Sequence, residues 1–169
     1  MTPLVSVIMG STSDLPIMQK ATDALNRLEI PFEVMALSAH RTPDEVAHFA
    51  QNAAERGVKV IIAAAGMAAH LPGVIASMTT LPVVGVPIAS TLQGLDALLA
   101  IVQMPGGIPV ATVGINAAQN AALLAAQIIA QSDEKVAAKV AQDKQNLKSK
   151  IVKANDDLKG LCQYEYRVN

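Results

Sequence analysis

Five times along the chain a run of apolar, often β-branched residues ends in a loop and is followed by apolar positions at helical spacing. The runs are Leu4 to Met9, Phe32 to Leu37, Val58 to Ala63, Val83 to Val86 and Val110 to Val113. Behind them come apolar positions 18, 21, 25 and 28, then helical patterns over Asp44 to Arg56, Leu71 to Ser77, Leu95 to Gln103 and Ala118 to Gln131. Strands that alternate with helices lie parallel, because parallel neighbours need a crossover that covers one face of the sheet. The pattern predicts an α/β protein of three layers: a flavodoxin-like, five-stranded parallel sheet with helices on both faces. Its strands, buried on both sides, read as continuous apolar runs rather than as alternation.

Beyond Ser132, an expected N-cap, charge returns, and Val136, Val140, Leu147, Ile151 and Leu158 mark one stripe of a long C-terminal helix ending near Lys159. This divides the chain into a catalytic domain over 1–132, a helix over 133–159 that packs in an oligomer, and a tail over 160–169. The same stripe would also serve a helix docked on its own subunit. The small side chains of the segment Ala117 to Ala126 predict a helix that other backbones approach closely, in a subunit interface.

From Val60 to Ser132 the only formally charged side chain is Asp96, although 16% of the whole chain is charged. Pro72, Pro82, Pro87, Pro105 and Pro109, with several glycines, cut this stretch into pieces too short to span a bilayer. A small domain cannot hide so long an uncharged stretch in its own core, so partner subunits are expected to cover part of it. A net charge of -1 and the lack of a basic run with interleaved aromatics give no basis for binding nucleic acid or a membrane. The single Cys162 permits no intrachain disulfide, and the first residues carry no secretory pattern, so a cytoplasmic setting is expected.

Chemistry is expected where strands end, since ligands of open α/β sheets bind outside the carboxyl ends of the strands. The first exit, Gly10-Ser11-Thr12-Ser13-Asp14, offers free N–H groups and hydroxyls suited to a phosphate, although Ser13 or Asp14 would serve equally as a helix cap. The second, Ser38-Ala39-His40-Arg41-Thr42-Pro43, sets a proton carrier beside a permanent cation able to grip an anion with two N–H groups. The third, from Ala63 to Gly73, places His70 in a bed of small apolar residues, the ordinary setting of a buried histidine. His48 falls on the solvent face of its helix and is given no role. No metal-ligand spacing and no Ser-His-acid order are evident, which leaves acid–base chemistry without a cofactor.

Four motifs taken in order carry a resemblance: Met9 to Asp14, Ser38 to Pro43, Ala68-Ala69-His70-Leu71-Pro72-Gly73, and Val102-Gln103-Met104-Pro105. Together, from about Leu4 to Lys159, the chain resembles the bacterial N5-carboxyaminoimidazole ribonucleotide mutases of purine (IMP) biosynthesis. The resemblance implies a flavodoxin-like homo-octamer with sites at subunit contacts. It also implies an isomerase, using neither metal nor nucleotide cofactor, that moves a carboxylate from an exocyclic nitrogen to ring carbon C4 of an imidazole ribonucleotide. By motif, Ser11, Ser13 and Asp14 would hold the ribose phosphate portion, and Ser38 and Arg41 would complete the anion grip. His40 would be the acid–base residue and His70 would orient the carboxylate. Ala65, Gly66 and Ala68 would shape a small dry pocket for carbon dioxide, and Leu71 joins the substrate-contacting set.

Met67 departs from this pattern, standing where the resemblance leads one to expect glycine, and Gly106 stands where some relatives carry arginine. Two other functions fit the same loops: a carboxylase that uses free carbon dioxide, and a phospholigand-binding module without catalysis.

Overall fold

The computed structural model describes residues 2–161. Five strands, β1 (Val5–Met9), β2 (Phe32–Ala36), β3 (Val60–Gly66), β4 (Val83–Ile88) and β5 (Ala111–Thr112), pair in parallel in the order β2-β1-β3-β4-β5. This is the flavodoxin-like winding, in which the connections run to opposite sides of β1. The helices are α1 (Leu15–Arg27), α2 (Pro43–Asn52), α3 (Leu71–Ala76), α4 (Leu95–Val102), α5 (Ala118–Ile129) and α6 (Glu134–Leu158).

The period-two geometry of a strand divides the core into two layers. Val5, Val7 and Met9 of β1, with Val60, Ile62 and Ala64 of β3, face α1 and α5. Ile8 of β1, with Ile61, Ala63 and Ala65 of β3, faces α2, α3 and α4. Burying one Ile or Val side chain is worth about 1.5–3 kcal/mol, so the three central strands, buried along almost their whole length, carry much of the stability.

Four expectations change. The run at Phe32 was expected to be a buried strand, but β2 is half exposed because it lies at the sheet edge and pairs only with β1. Its Glu33 accepts from buried Ser6 Oγ at 2.6 Å and pairs with Arg56 at 2.7 Å, which ties the edge down. β5 keeps only two of its four expected residues. The N-cap of α6 is Asp133, whose carboxylate accepts from the backbone N–H groups of Lys135 and Val136; Ser132 Oγ instead turns back to the Ile129 carbonyl. The alanines of α5 serve this chain's own fold, since Ala118, Ala121, Ala122, Ala125 and Ala126 are fully buried in the layer that holds α1.

α6 lies on the body only over its first half. Val136 is buried, Asp143 pairs with Arg27 at 2.8 Å and Lys139 with Glu29 at 2.7 Å, whereas Leu147, Ile151 and Leu158 are exposed. Among the described residues no helix is long and apolar enough to cross a membrane. Cys162 and nearly all of the expected tail lie outside the described residues.

Candidate active site

The ends of β1, β2, β3 and β4 open into one crevice of about 480 Å³, within the ~300–1,000 Å³ usual for small-molecule sites. All of the residues expected to bind or react line it: Ser11, Ser13 and Asp14 after β1; Ser38, His40 and Arg41 after β2; Ala65, Gly66, Ala68, His70 and Leu71 after β3.

At the first exit Ser11 caps a single 3-10 turn over Thr12–Asp14, its Oγ accepting from Ser13 N at 3.3 Å and from Ser13 Oγ at 3.0 Å. Asp14 stands at the cap position of α1 but makes no capping bond, so neither Ser13 nor Asp14 takes the helix-cap role that the sequence allowed. Burial pushes the Asp14 carboxyl above its ordinary range, against the opposing hydrogen bonds from the Ser11 backbone and the Ser13 side chain.

The second exit is laced to the first. Arg41 donates from Nη2 to the Gly10 carbonyl at 3.0 Å and from Nε to Ser38 Oγ at 3.3 Å, while the Arg41 backbone N–H also reaches Ser38 Oγ at 3.3 Å. Thr42 Oγ1 in turn accepts from Ser38 N at 2.9 Å. The loop therefore holds an exposed guanidinium above the serine hydroxyls, and an anion set there would meet a fixed positive charge and several short donors.

His70 is exposed at the head of α3 rather than buried. Its Nδ1 lies 2.8 Å from His40 Nε2, with ring centroids 4.9 Å apart and the planes nearly perpendicular at 79°. One nitrogen of the pair donates and the other accepts, so a proton lies between the two rings and each fixes the other's tautomer. Beside them Ala65 and Leu71 are buried and make part of the crevice wall apolar.

Five further residues line the crevice: Gly10, Ala39, Met67, Ile88 and Ser90. Ser90 follows β4, a fourth exit that sequence reading overlooked. Its loop is held by Asn116 Oδ1, which accepts from Ala89 N at 2.9 Å, and by the hydrogen bond from Thr91 to Asp96. Leu92, Gln93 and Gly94 take left-handed backbone in succession, with φ of 45°, 56° and 87°; the Gln93-Gly94 pair is the one local signal of this turn. Met67 also faces the crevice and is left-handed, at φ 54°, a conformation that costs a residue with a Cβ about 1–2 kcal/mol. His48 lies elsewhere, on the exposed face of α2, where its carbonyl accepts from the Asn52 amide. Among the described residues no group of three His, Cys, Asp or Glu side chains is arranged to hold a metal ion.

Fold and crevice define a flavodoxin-like α/β protein whose site joins an anion-binding loop pair to a hydrogen-bonded pair of imidazoles. Residues 4–150 match the family model described as AIR carboxylase, and the chain belongs to that family. It is 52% identical over 165 residues to the N5-carboxyaminoimidazole ribonucleotide mutase of Thermotoga maritima, covering 97% of this chain and 96% of the relative. To the mutase of Bacillus subtilis it is 54% identical over 161 residues, covering 94% and 99%. Among solved structures it is similar to Treponema denticola PurE, with a TM-score of 0.84 and 30% identity, covering 93% of this chain and 99% of that one.

Proposed function

We propose that the protein is an isomerase of purine biosynthesis. It moves the carboxylate of N5-carboxyaminoimidazole ribonucleotide from the exocyclic nitrogen to C4 of the ring, giving 4-carboxy-5-aminoimidazole ribonucleotide. The observation that carries this reading is the 2.8 Å contact of His40 with His70 at the apolar end of a crevice whose other end holds Arg41 and the serine loops.

In this mechanism Ser11, Ser13, Ser38 and Arg41 grip the phosphate and Asp14 meets the ribose. His40 protonates the exocyclic nitrogen, the nitrogen–carboxylate bond breaks, and carbon dioxide stays against Ala65, Gly66 and Ala68. The freed aminoimidazole is an enamine, and its ring carbon attacks the carbon dioxide. His40 then accepts the proton from that carbon and restores the aromatic ring, so it ends the cycle as it began. His70 orients the carboxylate and keeps His40 in the productive tautomer. Excluding water from the alanine-lined end keeps the intermediate from escaping.

The reading includes a homo-octamer in the cytoplasm, with residues 1–132 as the catalytic domain, 133–159 as an assembly helix and 160–169 as a tail. Support for assembly comes from α4, where Leu95, Leu99 and Val102 recur at helical spacing and are all exposed, with exposed Leu92 in the turn before them.

The deciding assay supplies N5-carboxyaminoimidazole ribonucleotide without ATP, metal or bicarbonate and follows the C4-carboxylated product. Turnover is expected; a requirement for any of the three overturns the reading. Faster use of aminoimidazole ribonucleotide with bicarbonate would mark a carboxylase instead. His40→Asn is expected to lower kcat at least ~10²-fold, the usual scale of a lost acid–base group, while calorimetry still shows product binding. Retained turnover would remove His40 from the chemistry.

A further inference from the structure

We infer that Met67 is the hydrophobic cover of the carbon dioxide end of the crevice, a retention residue of this chain that rests on the carboxylate-transfer reading above. Three observations carry the inference. Met67 sits in left-handed backbone at φ 54°, a conformation that a glycine would take freely. Its side chain is 55% exposed and lies outside both buried clusters, so the fold recovers little for it. It stands between Gly66 and Ala68 on the loop that carries His70, and all three line the crevice.

Of the four other left-handed residues with side chains among the described residues, Leu92 and Gln93 make the turn into α4, where the Gly94 N–H donates to the Thr91 carbonyl at 2.8 Å. Glu29 closes the end of α1, where its N–H donates to the Asn26 carbonyl at 3.0 Å. Asn116 uses its side chain to hold Ala89. Met67 shapes a tight turn, its carbonyl accepting from the Ala69 N–H at 2.9 Å, but that bond needs no side chain, and strain kept at the border of a site points to the site. A long, unbranched thioether suits the task, because it adapts its shape over a small apolar ligand without offering a hydrogen bond.

In the reaction, breaking the nitrogen–carboxylate bond releases one carbon dioxide, which must stay until the new carbon–carbon bond forms. A cover over this end slows its exchange with the solvent pool. Removing the cover should therefore change where the carboxyl carbon of the product comes from before it changes the fold.

The test gives enzyme and unlabelled N5-carboxyaminoimidazole ribonucleotide in excess ¹³C-bicarbonate. Product is quenched within the first turnovers and its carboxyl label read by mass spectrometry, with an enzyme-free control for spontaneous decarboxylation. Met67→Gly and Met67→Ser are expected to raise the labelled fraction several-fold, Met67→Leu to keep it near the starting value, and Met67→Gly to hold or raise Tm. An unchanged labelled fraction in both the Gly and Ser variants overturns the inference. So does a lower Tm or a smaller particle mass in Met67→Gly, which would make Met67 a folding or subunit-contact residue. Should the unsubstituted protein convert no substrate, the carboxylate-transfer reading fails instead, and the two failures are distinct.

Discussion

Asp14 shows how single residues at this site are held away from their own stability optimum. Burial raises its carboxyl above the ordinary range, more than the bonds from Ser11 and Ser13 lower it. A raised acid binds its proton more tightly in the fold than in the unfolded chain, so the charged form costs stability at neutral pH. That cost fades as pH falls below the ordinary carboxyl range. Asp14→Asn is thus expected to raise Tm at pH 7, to show a smaller gain at pH 3, and to weaken substrate binding; differential scanning calorimetry and a KM measurement check the three. Glu33 behaves in the opposite sense: burial would raise its pKa, but the hydrogen bonds from Arg56 and Ser6 and the Arg56 charge outweigh it and hold the carboxyl low. Its contribution is present above the ordinary carboxyl range and is lost as pH falls through the lowered value. His40 and Arg41 were legible as chemistry because imidazole and guanidinium at a strand end have few structural uses. His70 was less so: its alanine surroundings suggested burial, and only the three-dimensional meeting with His40, thirty positions earlier, turns it outward.

At the scale of elements, legibility followed burial. β1, β3 and β4 announce themselves as uncharged, mostly apolar runs, with Ser6 of β1 the one hydroxyl, because helices cover both their faces. β2 carries Glu33 in mid-run, which marks an edge, and β5 shortens where only one neighbour pairs with it. The fourth site loop was hard to see because Leu92 and Gln93 take left-handed backbone themselves and leave Gly94 as the one local signal. Helix placement also depends on a missing side chain. A Cβ on Gly85 of β4 would lie 2.4 Å from Ile101 Cγ2 and 3.0 Å from Val110 Cγ1. Gly85→Ala is therefore expected to push α4 off the sheet and cost about 1–3 kcal/mol, typical of overpacking, read as a lower urea midpoint.

For the whole molecule, the uncharged middle of the sequence becomes a surface question. Much of it is core, but Leu95, Leu99 and Val102 form an exposed apolar line on α4, continued by Leu92 in the turn before it, and Leu147, Ile151 and Leu158 form another on α6. Lines of this kind belong to interfaces rather than to water. Under the proposed assembly, Leu95→Glu with Leu99→Glu is expected to bring the mass in light scattering down towards 17.6 kDa and to reduce turnover. An unchanged particle would place the interface elsewhere.

The crevice takes its polar residues from Ser11 to Ser90, yet the helix that seals the α1 side of the sheet, α5, does not begin until Ala118. During synthesis all the polar residues that line the crevice are thus made before the layer that buries Met18, Leu25 and Val84 exists. A ribosome-bound chain that has just exposed Ser90 carries all the polar residues of the crevice and is structurally half dressed. The late closure of α5 onto α1, a contact across roughly a hundred residues, is the step on which folding speed should depend.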